Sequence, residues 1–241
     1  MKTFEASATL IKEDPLFLIP RLGGKARTFW MAATYPFAGF GKGTWAHYSC
    51  HVSRSDARYI QIGADVGLQR DVRLEAYPWD GISSPILIVE DGCALQRRTV
   101  ISARNQIHIM RNTIIAHSVV ISDHKTDRRK ARASDGWREE PGGRIRIEED
   151  CWIGFGVSII CEQGELVIGR HCVVGANSII RQSVPAYSVI LGNPPRIVKQ
   201  FDSSKNKWAL GCTRPMADAD RIQDSILPVA TSSELRWAHG R

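Results

Sequence analysis

The sequence predicts an all-β solenoid, a coil of short strands and tight turns wound as a triangular prism, and three observations carry that expectation. Aliphatic residues recur every six positions, at Ile147, Ile153 and Ile159 and again at Ile168, Val174 and Ile180. A compact residue stands four places after most of them, at Cys151, Val157, Cys172 and Ser178, with glycine punctuation at Gly154, Gly169 and Gly175. Such a period matches neither a helix nor a plain strand but fits a short strand plus a turn, repeated. Run backwards, the same frame gives Ile109, Ile115 and Ile121; Val89, Leu95 and Ile101; Ile62, Leu68 and Leu74; and Phe40, Ala46 and Val52. Extra residues enter only between triplets, after Val52, Leu74, Ile101, Ile121 and Ile159. If three hexapeptides make one coil, every insertion leaves from the same corner of the prism.

Taken in order, residues 1–39 carry no such rhythm and form a capping segment, residues 40–201 form the repeat domain, and residues 202–241 form a tail. Leu22 to Phe37 mixes basic and aromatic residues and reads as a short amphipathic helix covering the open first coil, whose apolar edge needs a cover. Contact with a membrane surface is the alternative. Glu75 to Leu87, with Tyr77, Pro78 and Trp79 before an Asp80-Gly81 turn, reads as a loop whose aromatic faces either bind a sugar or pack back on their own coil. Arg97 and Arg98 are expected to point outward, because an unpaired cation inside a dry coil is very costly.

The longest insertion, Ser122 to Arg144, opens with Asp123 and His124 and also holds Trp137 and the basic run Arg128, Arg129, Lys130 and Arg132. Loops of this length in a compact repeat are commonly functional. The basic run reads as a solvated face, or as a contact for an acidic acceptor or for cofactor phosphates. Beyond Ser203 no motif is visible, and a C-terminal helix with a frayed end, or a plain tail, is expected.

The chain of 241 residues has a net charge of +7 and a pI near 9.3, which favours an anionic partner. Nucleic acid is disfavoured, since no helix-turn-helix, zinc or RNA-binding aromatic signature accompanies the charge. The N-terminus lacks the basic start and apolar core of a signal peptide, and no apolar run is long enough to span a bilayer. Of the six cysteines, Cys50, Cys93, Cys151 and Cys172 fall on the compact position of the hexapeptide. They read as reduced packing residues of a cytoplasmic protein.

Together with the terminal VPAYSVILGNPPR, the rhythm over residues 40–201 resembles the left-handed parallel β-helix acyltransferases, and within them the O-acetyltransferases of sugars and surface polysaccharides. The left-handed winding is implied by the resemblance alone, because parallel crossovers are otherwise almost always right-handed. His124, in VISDHKTD, is similar to the histidine of the family's V-x-I-S-D-H-N-H run, with Lys125 and Thr126 replacing its last two residues. The resemblance makes His124 the general base. Asp123 is a supporting residue that orients the imidazole if a turn brings the two together, since neighbours on an extended strand face opposite ways.

The same resemblance implies acetyl-CoA as co-substrate, a saccharide acceptor, direct transfer with backbone amides at the oxyanion, and a homotrimer with its donor groove between subunits. Carried over by position, the donor residues are Trp152, Phe155, Ala176, Arg181, Pro195, Arg196 and Lys199, with Arg196 and Lys199 placed for the 3′-phosphate. Phe155 stands where relatives often have Ser or Ala, and Gln182 where many have Lys. Alternatives are N-acetylation of a nucleotide-linked amino sugar, or a β-helix scaffold without chemistry. No metal is expected: His108, His117 and His124 lack the spacing of the related metal-binding β-helices, which place two histidines five apart.

Overall fold

The computed structural model describes residues 18–78, 85–124, 142–202 and 207–210. Three parallel sheets form the sides of a prism. The first face stacks Gly39–Phe40, Ile60–Ile62, Leu87–Val89, Gln106–Ile109, Arg144–Ile147 and Glu165–Ile168. The second stacks Trp45–Ala46, Gly67–Leu68, Ala94–Leu95, Ile114–Ile115, Trp152–Ile153 and Val173–Val174, then continues through Ser188–Leu191. The third stacks His51–Val52, Arg73–Ala76, Val100–Ala103, Val120–Ser122, Ser158–Ile160 and Ile179–Ile180.

The registers follow the hexapeptide frame residue for residue. Phe40, Ile62, Val89, Ile109, Ile147 and Ile168 pair in succession along the first face. Ala46, Leu68, Leu95, Ile115, Ile153 and Val174 do so along the second. Val52, Leu74, Ile101, Ile121, Ile159 and Ile180 do so along the third. All but the partly buried Phe40 belong to the buried core. Burying such side chains contributes about 1.5–3 kcal/mol each before conformational entropy is counted.

Two corners of the prism are tight turns with left-handed backbone. Asp65, Asn112, Asp150 and His171 hold positive φ between the first and second faces, and Asp71, Arg98, Ser118 and Asn177 between the second and third. The third corner, after the third face, carries every insertion. Glycine before the second–third turn answers a different need: a Cβ on Gly154 would lie 2.7 Å from the Val174 carbonyl of the next coil.

The compact position proves to be a hydrogen-bonding one as well. Thiols of Cys50, Cys93, Cys151 and Cys172 donate to carbonyls of the following coil, at Gln69, Met110, Gly169 and Pro185, over 3.1–3.2 Å. Thr99 does the same to Ala116 at 3.0 Å. A small side chain with a donor both fills the corner and satisfies a backbone acceptor that the turn would leave open.

Helix α1, Leu18–Thr34, lies on the first coil. Met31 is fully buried, and the Thr28 hydroxyl accepts from the Ala46 amide at 2.8 Å, a donor that the open end of the second sheet would otherwise leave bare. Phe29 and Trp30 remain exposed on its outer side. At the other end, beyond Ser203, where a helix with a frayed end or a plain tail is expected, the structure has a strand at Lys207–Leu210. Arg196–Asp202 pairs antiparallel with Ser188–Leu191, and Lys207–Leu210 pairs antiparallel with Arg196–Asp202. The edge of Arg196–Asp202 is free to accept a further strand, and pairing there outweighs local helix propensity at Lys207–Leu210. Residues 211–241 lie outside the described residues.

Candidate active site

The insertion corner is where side chains with chemistry converge. The strand Val120–Ser122 ends in a bend, so the expected turn does intervene, and the Asp123 carboxylate meets the His124 imidazole at Oδ1···Nδ1 3.0 Å. Asp123 is fully buried, which is tolerable only because the preceding coil supplies donors. Its Oδ1 accepts from the Arg104 amide at 2.8 Å, and its Oδ2 accepts from the amides of Arg104, Asn105 and Gln106 at 3.0, 2.9 and 2.9 Å. That nest exists because only Arg104 and Asn105 separate the strands Val100–Ala103 and Gln106–Ile109, so successive N–H groups point the same way.

A carboxylate holding these donors accepts the imidazole proton at Nδ1. Nε2 is then left with its lone pair and no hydrogen-bond partner among the described residues. The His124 side chain is 12% exposed, so Nε2 can reach a ligand while the ring stays fixed. The returning end of the insertion is tied to the same point. The Gly143 amide donates to the Asp123 carbonyl at 2.6 Å, and Gly142, at φ +66°, sits where a Cβ would come within 2.6 Å of that carbonyl. Only glycine serves there.

Tyr77, from the first loop, stands edge-on to His124 with ring centroids 6.5 Å apart. Burial first, and the Glu75 carboxylate second, hold its phenol above the usual range. The loop aromatics singled out in the sequence thus include a wall of this corner. Trp79, Trp137 and the basic run Arg128, Arg129, Lys130 and Arg132 lie outside the described residues.

The donor residues fall elsewhere. Trp152 projects from the second face and is exposed, while Phe155 and Ala176 are exposed on the second–third corner. Arg196 and Lys199 pair with Leu191 and Val189, extending the second face, and Pro195 immediately precedes that strand. Arg181 is the exception: it follows Ile180 at the insertion corner, two coils beyond His124. Within one chain the whole third face separates His124 from Phe155 and Ala176. The three histidines weighed for a metal are likewise dispersed, with His108 on the first face bonded to Glu90 at 2.7 Å, His117 on the second–third corner and His124 at the insertion corner.

Comparison with known proteins bears on this arrangement. No family model matches the chain. WbbJ of Escherichia coli K12, named for O-acetyl transfer in lipopolysaccharide biosynthesis, is 26% identical over 168 residues, covering 67% of this chain and 81% of that protein. A Mycobacterium tuberculosis protein named as an acetyltransferase is 34% identical over 112 residues, but this match spans only 35% of that relative's length. Among solved structures, AntD, an N-acyltransferase of Bacillus cereus in complex with dTDP and coenzyme A, superposes with a TM-score of 0.55 at 18% identity over 70% of this chain and 87% of its own, a likeness of fold. The chain has the hexapeptide-repeat parallel β-helix fold and is similar over most of its length to proteins named as acyltransferases.

Proposed function

We propose that the protein transfers an acetyl group from acetyl-CoA to a hydroxyl of a saccharide in surface-polysaccharide or related glycan synthesis. The observation that carries this reading is the His124–Asp123 pair, with Nδ1 held at 3.0 Å from a buried carboxylate and Nε2 without a hydrogen-bond partner among the described residues. Nε2 takes the proton of the acceptor hydroxyl as its oxygen bonds to the thioester carbonyl carbon. The tetrahedral oxyanion then collapses, the C–S bond breaks, and the imidazolium returns the proton to the departing thiolate. Asp123 keeps the ring in the required tautomer and stabilises its cation. The name of the Escherichia coli relative supports a sugar hydroxyl as acceptor. Coenzyme A in the AntD complex supports the donor.

The site closes only with a second copy of the chain. In a trimer about an axis parallel to the coil, equal coils lie at equal height. With the first face of one chain against the second face of the next, the His124 corner of the first meets the Phe155–Ala176 corner of the second. The outward residues Trp45, Ile114 and Trp152 on the second face, 49%, 41% and 58% exposed, support that face as a contact. Thioester consumption measured with sugar-alcohol and amino-sugar acceptors tests the reading. Turnover confined to the amine would replace it with N-acetylation, and no turnover together with no acetyl-CoA binding would leave a scaffold.

A further inference from the structure

Along the second–third corner, residues of successive coils stack in one column: Arg70, Arg97, His117, Phe155 and Ala176. Main-chain bonds tie it together, from Arg98 N to Arg70 O at 3.0 Å, Ser118 N to Arg97 O at 2.9 Å, Gly156 N to His117 O at 3.0 Å, and Asn177 N to Phe155 O at 2.8 Å. The first four column residues, with Asp71, Arg98 and Ser118, line a groove of about 320 Å³. Three guanidiniums thus face one carboxylate, and among the described residues none of the three is held in an ion pair. Arg98 is also an unforced choice. It sits at φ +60° on the turn position that other coils fill with Asp71, Ser118, Gly156 and Asn177, where short residues or glycine are the easy ones. The field of the groove is felt nearby: burial first and the Arg70 cation second lower the His47 pKa.

The column runs directly into the proposed donor positions Phe155 and Ala176. Strand spacing of about 4.8 Å places Arg97 about 10 Å and Arg70 about 14 Å from the level of Phe155, on the side away from Ala176 and the terminal hairpin. In the assembly described above, His124 of the neighbouring chain arrives near the level of His117 and Phe155. The thioester therefore comes from one end of the groove, and the arginines stand at the other, one sugar and its linkage away.

We propose that this arginine-lined half of the groove is the acceptor subsite, and that the acceptor is an anionic saccharide whose phosphate or carboxylate is held by Arg70, Arg97 and Arg98. Bidentate guanidinium contacts suit either anion. The inference rests on the acetyl-transfer reading, and its test separates the two. UDP-glucose, glucuronate and glucose are titrated calorimetrically into the full chain and into an Arg97→Gln/Arg98→Gln variant, and acetyl transfer from acetyl-CoA to each is followed in parallel.

One charged probe should bind and be acetylated in preference to glucose, its identity telling phosphate from carboxylate. The double variant should weaken that probe about 10- to 100-fold, as expected for charge-assisted bonds, with the KM for acetyl-CoA shifting less than about twofold. Arg97→Lys/Arg98→Lys should restore part of the loss. Equal use of glucose overturns the anionic acceptor and leaves the transferase. A matching loss of acetyl-CoA affinity assigns the groove to the donor's phosphates, and a changed subunit count in the Gln variant assigns the arginines to the assembly; either overturns the acceptor subsite. Arginine-dependent binding of a charged probe with no transfer to any probe overturns the transferase reading and keeps the anion site.

Discussion

His124 and Asp123 are neighbours in sequence, yet their side chains meet only because the strand stops at Ser122 and three amides of the coil below fix the carboxylate. The imidazole is therefore oriented before any substrate arrives, and its removal should be felt in turnover more than in binding. His124→Ala is expected to lower acetyl transfer about 10²- to 10⁴-fold, the usual contribution of a positioned base. Acetyl-CoA binding should persist, since Trp152, Phe155 and Ala176 lie on other elements of the chain. A folded His124→Ala protein that binds donor and turns over within a few-fold of wild type removes His124 from the mechanism. His117 in the arginine groove is then the next histidine to test.

At the scale of the coil, the repeat explains both what holds the fold and how it answers to pH. Burial pushes the thiols of Cys50 and Cys93 up to about 11 and that of Cys172 up to about 12, and raises Cys151 further. Each is an acid whose neutral form the folded state keeps. Stability from these positions is therefore fully present below the ordinary thiol range near 8.5 and is lost as pH rises through about 11 to 12. Urea unfolding between pH 8 and 11 should show a falling midpoint, with a shallower fall in Cys93→Ala; identical slopes would show that other groups carry the alkaline loss. The terminal hairpin answers to a different charge. Arg196→Ala with Lys199→Ala should weaken acetyl-CoA more than a donor lacking the 3′-phosphate, by roughly 1.5–3 kcal/mol per lost contact; equal losses with both donors would place these residues elsewhere. The coil was legible in the sequence because a six-residue period admits one register, so Ile62, Val89 and Ile109 could be stacked by counting. Asp123's partners were not, because Arg104, Asn105 and Gln106 act through backbone amides that carry no side-chain signature. The strand at Lys207–Leu210 was hidden for a related reason: its structure comes from a free sheet edge rather than from a pattern of its own.

Across the whole molecule, the decisive fact is that the proposed base and the proposed donor residues stand on different edges, His124 on one side of the third face and Phe155 and Ala176 on the other. No side-chain rotation crosses a sheet face. Either they do not share a site, or the site is made by two chains, and mixed assemblies distinguish these. Consider His124→Ala, which removes the base, and Ala176→Arg, which fills the donor edge without touching the insertion corner. Each alone should be nearly inactive. When the two are unfolded together in equal amounts and refolded, a shared site is intact wherever an Ala176→Arg chain offers its His124 to the donor edge of a His124→Ala chain. Random mixing in a cyclic trimer makes that combination about one site in four, so about a quarter of wild-type activity should return. Light scattering on the same sample should report three chains per particle. If every site lay within one chain, each would carry one or the other lesion whatever the mixture, and no activity would return. Refolded trimers that stay inactive would thus separate His124 from the Ala176 edge, and with it the donor placement proposed for Trp152 and Phe155.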